Sequence, residues 1–182
     1  MSAGRKRGAR NKKAIIDATI RLLEEGNYSA LAIEAVAERA GVAKTTIYRW
    51  WDHKSKLVFE AFLARAESLF EIKMEKTAKE NFVKQLLILT DILQSGVGRA
   101  MLTVLGEEKE MTDQFLEAYL EPRRVQSKKI LKSGIEKGEI TGDFEHEIVL
   151  DMLYGPIYFN LMVLNKVPDR EYIEQLVEQV MK

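Results

Sequence analysis

The stretch AGVAKTTIYRWWDHKSKL, residues 40–57, decides how the chain is read. Ala37, Gly41 and Ile47 have the spacing of a helix-turn-helix. The alanine lets two helices cross closely, the glycine supplies the positive φ of the turn, and the isoleucine anchors the second helix. Val36, Ala40, Val42 and Ile47 are expected to form the small core, closed by Trp51, one of two tryptophans in the chain. With Ile47 inward, Ala43, Lys44, Thr45, Thr46, Tyr48 and Arg49 face outward. Cationic donors, hydroxyls and a phenol on one short helix suit base edges and phosphates. Lys54 and Lys56 open the next helix, where charge and free N–H groups both favour a phosphate.

The charge distribution agrees. Residues 1–56 hold 12 Lys and Arg against 6 Asp and Glu, whereas residues 57–182 hold 16 against 22. A basic head on an acidic body is expected to meet a polyanion. Cysteine is absent, which excludes a disulfide framework and a thiolate metal site. The basic N-terminus lacks the apolar core of a signal peptide, and no run approaches the roughly 18 apolar residues of a membrane span. A cytoplasmic protein is expected. The two histidines, His53 and His146, fall in separate regions, and no nucleophile elbow, P-loop or H-E-x-x-H is present. Neither catalysis, a metal nor a cofactor is expected.

The rest of the chain reads as helix, with no two-residue alternation. The periodicity predicts helices over 12–25, 33–39, 44–50, 54–75, 80–94, 97–105, 112–137, 144–165 and 169–181, and therefore an all-α protein. Asp52 is expected to cap the fourth helix, Asp143 the eighth and Pro168-Asp169 to start the last. Pro122 and Gly155-Pro156 lie inside helical patterns and are expected to kink or bound them.

Residues 26–57, GNYSALAIEAVAERAGVAKTTIYRWWDHKSKL, resemble the DNA-binding signature of TetR-type transcriptional regulators, and the resemblance spans roughly residues 10–60. The C-terminal third, with KGEI and DMLYGPIYFNLM, is similar more weakly to one subgroup's second domain. The resemblance implies a DNA-binding domain over 1–53 and a helical ligand-binding and dimerisation domain over 54–182. It implies a homodimer on double-stranded DNA, acting as a repressor that a small ligand releases. By the same resemblance Tyr48 and Lys54 hold phosphates, and Lys44, Thr45, Thr46 and Arg49 lie in or beside the major groove. Trp50 stands where the family often has histidine; its indole can donate to a phosphate but cannot carry charge. Leu31-Ala32 replaces the family's Thr or Ser at the start of helix two, leaving Ser29 as the nearby hydroxyl.

In the larger domain the last two helices carry broad apolar faces. Ile157, Leu161 and Leu164, with Ile173, Leu176, Val177 and Val180, are expected to build a four-helix interface between two copies. A cavity lined by Phe62, Phe70, Met74, Met101, Phe115 and Tyr119, with Tyr154 and Tyr158 one turn apart, suits a hydrophobic or aromatic small molecule. The alternative is a DNA-binding protein without such a ligand, controlled by a protein partner or architectural.

Overall fold

The computed structural model describes residues 3–67, 77–140 and 145–181. Among them every regular element is helical. In chain order these are α1 (Ala3–Glu25), α2 (Ile33–Ala40), α3 (Lys44–Tyr48), α4 (Lys54–Glu67), α5 (Ala78–Gln94), α6 (Gly96–Glu107) and α7 (Lys109–Phe115). A π-helical turn (Leu116–Leu120) leads into α8 (Glu121–Glu136), followed by α9 (His146–Met162) and α10 (Arg170–Val180). The chain divides into two compact units, residues 1–68 with 95–113, and residues 69–94 with 114–182.

In the first unit α1 turns Ile15, Ala18 and Leu23 into the core, and the buried Thr19 hydroxyl donates to the Ile15 carbonyl of its own helix at 2.9 Å. Gly41 ends α2 at φ 66° and ψ 37°, the left-handed conformation that the motif requires. The Val42 N–H returns to the Ala37 carbonyl at 3.0 Å. Val36, Ala37, Ile47 and Trp51 are the buried set, whereas Ala40 and Val42 are only half-buried. Ala37, the small residue of the motif, is buried, and Ala40 stays at the margin of the core.

The third helix is shorter than expected. It stops at Tyr48, and Arg49 and Trp50 form a turn. Trp51 is drawn into the core, where its indole N–H donates to Glu60 of α4 at 2.7 Å, and this pull ends the helix. Asp52 accepts from Lys56 Nζ at 3.0 Å.

α6 packs on α1 and α4 and belongs with them, so the expected boundary at 53/54 falls within the first unit. Ser95 caps it, accepting from the Gly98 N–H at 3.2 Å. The fit to α1 is tight at Gly96, where a Cβ would sit 2.1 Å from the Leu23 carbonyl oxygen. The Gly96 N–H donates to the Glu24 carboxylate at 3.0 Å.

In the second unit α5 buries Phe82, Leu86, Leu89 and Leu93, and α8, α9 and α10 pack against it. The helix expected over 112–137 is three pieces: the end of α7, the π-helical turn and α8. Pro122 falls in the first turn of α8, where its missing N–H is not needed. Pro156 sets no boundary, for α9 runs from His146 through it to Met162. Asp169 caps α10 by accepting from the Tyr172 N–H at 2.8 Å. Arg124 of α8 clips onto Glu147 and Asp151 of α9, and Lys128 onto the same Glu147. Asp143, Phe70 and Met74 lie outside the described residues.

Candidate DNA-binding face and ligand cavity

The α3 face carries the first site. Ala43 precedes the helix without a side-chain cap, so the first N–H groups of α3 are not taken by a side chain. Lys44, Thr45, Tyr48, Arg49 and Trp50 are exposed around Ile47, which is fully buried, and Thr46 is half-buried. The Tyr48 hydroxyl makes no hydrogen bond, and Arg49 no ion pair, among the described residues. Tyr48 and Trp50 keep about half of their surface in solvent (49% each), which the burial of a large aromatic normally avoids.

Two lysines of this face have protein partners. Lys44 pairs with Glu34 of α2, which holds the ammonium above its ordinary pKa and the carboxyl below its own. Lys54 donates to the Tyr28 carbonyl at 2.9 Å and lies 4.2 Å over the Tyr28 ring. The Tyr28 hydroxyl reaches Glu108, at the end of α6, at 3.4 Å. Lys54 is thus half-buried at the start of α4 and tied to the loop before α2. Periodicity misses this contact because its partners lie 26 residues apart. At the start of α2, Leu31 turns inward and Ala32 offers no side-chain cap, while Ser29 stays exposed. Lys12 of α1 pairs with Glu60 and lies 5.3 Å over the Trp50 ring, joining α1 to the end of α3.

The second site is a cavity in the second unit, between α5, the π-helical turn, α8 and α9, with about 30 Å³ of free space. That is room for about two waters. Tyr119, Tyr154 and Tyr158 line it. Phe115 lies behind, its ring 4.9 Å from that of Tyr119. Phe62 and Met101 are instead fully buried in the first unit, where α4 and α6 pack together. Sequence reasoning missed Gln85, Arg123 and Ser127, which also line the cavity. Gln85 and Ser127 read as ordinary polar helix positions, and Arg123 as part of a solvated EPRR run.

The third feature is an apolar stripe on α9. Ile148, Met152, Phe159, Met162 and Val163 are exposed, and Gly155 continues the same row. Positions 148, 152, 155, 159 and 162 alternate steps of four and three, the spacing of a helix-packing seam. Of the residues expected at a subunit interface, Ile157, Ile173 and Val177 are fully buried within the protomer core. Leu161, Leu176 and Val180 are half-buried, and Leu164 is exposed. Because α9 is apolar on both sides, its sequence does not say which stripe faces inward.

Comparison with known proteins decides what this arrangement belongs to. Residues 15–61 match the model of bacterial regulatory proteins, tetR family. Residues 80–180 match the tetracyclin repressor-like C-terminal domain. The chain belongs to the tetR family. The HTH-type transcriptional regulator YdeS of Bacillus subtilis is 30% identical across 98% of this chain and 92% of its own length. The crystal structure of the TetR-family regulator SCO0332 superposes with a TM-score of 0.74 at 23% identity, covering 94% of this chain and 96% of that one. FadR from Bacillus subtilis, solved in complex with stearoyl-CoA, gives 0.65 at 21% identity, covering 93% and 97%. This tetR-family member is therefore a helix-turn-helix, DNA-binding transcriptional regulator of all-helical fold. Among the described residues no single helix is long and apolar enough to cross a membrane.

Proposed function

We propose that the protein is a homodimeric repressor that holds a near-palindromic operator through α3 and leaves it when a small, largely apolar ligand enters the second unit. One observation carries the DNA half of this reading. A fully buried Ile47, set by a left-handed Gly41, holds out a short helix whose remaining side chains are polar, all of them exposed but the half-buried Thr46. Lys44, Thr45, Thr46 and Arg49 then meet base edges or the groove walls. Tyr48, Trp50 and Lys54 meet phosphates, with Ala43 allowing the backbone to approach. Lys44 exchanges Glu34, and Lys54 a share of its contact with Tyr28, for phosphate oxygens.

The dimer follows from α9. An exposed stripe of Ile148, Met152, Phe159, Met162 and Val163 is a surface that a second copy can cover. Two copies place two α3 helices about one turn of DNA apart, roughly 34–36 Å. The ligand half rests on the cavity lined by three tyrosines. At about 30 Å³ it is far smaller than an occupied pocket, so an occupant must enlarge it. A ligand that prefers the enlarged form shifts the population away from the DNA-binding one by its difference in affinity. The same small volume is the observation that favours the second reading, a regulator without a small-molecule ligand.

Fluorescence anisotropy on labelled DNA from the gene's upstream region, over a salt series, tests the DNA half. Sequence-selective binding that weakens with salt is expected. The salt slope should be shallower by about 0.9 for the phosphate that Lys54→Ala no longer holds, whereas Tyr48→Phe, which removes no charge, should weaken binding at an unchanged slope. A folded dimer that binds no DNA at low salt would falsify it.

A further inference from the structure

One carboxylate holds both of the adjacent tryptophans. Trp51 is buried, and its indole N–H donates to Glu60 Oε2 at 2.7 Å. The other oxygen of that carboxylate, Oε1, pairs with the Lys12 ammonium of α1. The ammonium lies 5.3 Å from the ring centre of Trp50 and 5.8 Å from that of Trp51. Both distances are within reach of a cation–π attraction. Gly8 lies one turn earlier on α1, and a Cβ there would rest 3.9 Å from Trp50 Cζ2. α1 therefore runs along the Trp50 ring over two successive turns. Lys12 and Glu60 keep about a third of their side chains in solvent (34% and 33%), so the pair is partly sheltered from screening. All of these residues belong to the first unit.

Closing the core asks for less than this. Trp51 needs only an acceptor for its indole N–H, and a neutral amide oxygen would serve. The charge of Glu60 matters to Lys12, and Lys12 matters to Trp50, whose ring is half in solvent. The neighbouring Lys13 pairs instead with Asp17 of its own helix at 2.6 Å. An exposed indole without such a hold turns among its rotamers, and fixing it on binding costs affinity. A ring already pressed on α1 meets DNA without that loss. Gly8 and Lys12 precede the segment that matches the tetR-family model, residues 15–61. The hold on Trp50 thus comes from turns of α1 that lie ahead of the family's DNA-binding segment.

We propose that Glu60 and Lys12 are positioning residues for DNA binding: Glu60 anchors Lys12, and Lys12 holds the Trp50 ring on α1, ready for an operator phosphate. The inference rests on the reading above in which Trp50 meets a phosphate. Lys12 is then not a phosphate ligand itself, because Glu60 already takes its charge.

The test is anisotropy of the full chain on labelled upstream DNA, with Lys12→Ala, Glu60→Gln, their double variant, Lys12→Arg and Trp50→Phe. Each substitution leaves Trp51 an acceptor and so keeps the core closed. If the pair acted through charge alone, loss of the lysine would weaken binding and loss of the carboxylate would strengthen it. The charge-neutral double variant would then bind like wild type. Positioning gives a different pattern. Lys12→Ala and Glu60→Gln should each weaken binding by about fivefold, and the double variant by no more than either. The salt slope of Lys12→Ala should match wild type, whereas a lysine on a phosphate would make it shallower by about 0.9 per contact. Lys12→Arg, which can pair with Glu60 and stack on an indole, should bind like wild type. Trp50→Phe should show a similar loss, to which Lys12→Ala adds nothing. Nuclear magnetic resonance of the two indole N–H groups supplies a readout without DNA, in which Lys12→Ala and Glu60→Gln should both move the Trp50 signal. Tighter binding by Glu60→Gln, wild-type affinity in Lys12→Ala or the double variant, or an unmoved Trp50 signal overturns the positioning role and leaves the DNA-binding reading standing. Wild-type affinity in Trp50→Phe overturns it too, by removing the contact that it serves. Wild type that binds no DNA at low salt sinks the repressor reading and the positioning role together.

Discussion

The two units of this protein are built inside out with respect to each other. The first has a core of aliphatic and aromatic side chains, and its buried Thr19 hydroxyl is satisfied by a carbonyl of its own helix. The polar groups proposed to meet DNA, Lys44, Thr45, Tyr48 and Arg49, all lie outside. The second keeps a polar triangle within, Gln85, Ser127 and Tyr154, each on a different helix. It wears its apolar stripe, from Ile148 to Met162 of α9 and on to Val163, on the surface. A unit whose interior bonds run between helices ties its packing to whatever sits among them.

Substitutions in both units probe this contrast, in descending order of effect. Gly96→Ala tests the rigidity of the first unit most severely, because the new methyl would fall 2.1 Å from a backbone oxygen of α1. Urea denaturation is expected to show a loss of about 3 kcal/mol. Gly106→Ala on the same α6, with nothing within 4 Å, should instead gain up to about 1 kcal/mol from helix propensity. Equal stabilities for the two variants would show that α6 does not press on α1.

Phe159→Glu puts a charge in the middle of the exposed α9 stripe. Sedimentation should then report monomers, and operator affinity should fall by about a hundredfold as the second half-site goes unoccupied. A variant that remains dimeric would move the interface elsewhere.

Tyr154→Phe and Thr19→Val compare the two interiors directly. Removing the Tyr154 hydroxyl strips Gln85 of a partner on another helix and should cost about 1.5 kcal/mol. Removing the Thr19 hydroxyl leaves the helix to satisfy its own carbonyl and should cost less than about 0.5 kcal/mol. Similar losses at both positions would erase the distinction between the units.

The smallest effect concerns acid. Lys128 and Arg124 hold the Glu147 carboxyl below its ordinary 4.5. A carboxyl depressed in the folded state contributes stability that is present above 4.5 and is lost as pH falls through its lowered value. Melting temperatures in acid should drop less steeply for Glu147→Gln than for wild type, by a small margin because the pair is solvent-screened.

The helix-turn-helix was legible because it depends on local chemistry. Gly41 needs a positive φ, Ile47 needs a core, and only a few residues separate the parts. Asp169 was readable for the same reason, since a cap is satisfied within three residues. What stayed hidden depends on contacts between distant segments. The inward side of α9 is set by α5 and α10, so Ile157 and Ile173 look no different in sequence from Phe159 and Met162. Gly96 reads as a helix breaker, yet it begins a helix and serves a close approach to α1. Arg123 reads as a solvated charge until Tyr119, one turn earlier, is seen to be buried beneath it.

Both tryptophans of the chain, Trp50 and Trp51, sit side by side at the end of α3, with ring centroids 6.4 Å apart. One is half in solvent and the other is buried with its indole bonded to Glu60. The cavity in the second unit, by contrast, is lined by tyrosines. Light at the red edge of protein absorption therefore excites a single spot on the molecule, the end of α3 that is proposed to face the operator. Its emission can report the arrival and departure of DNA without a label, with no tryptophan at the cavity to blur the signal.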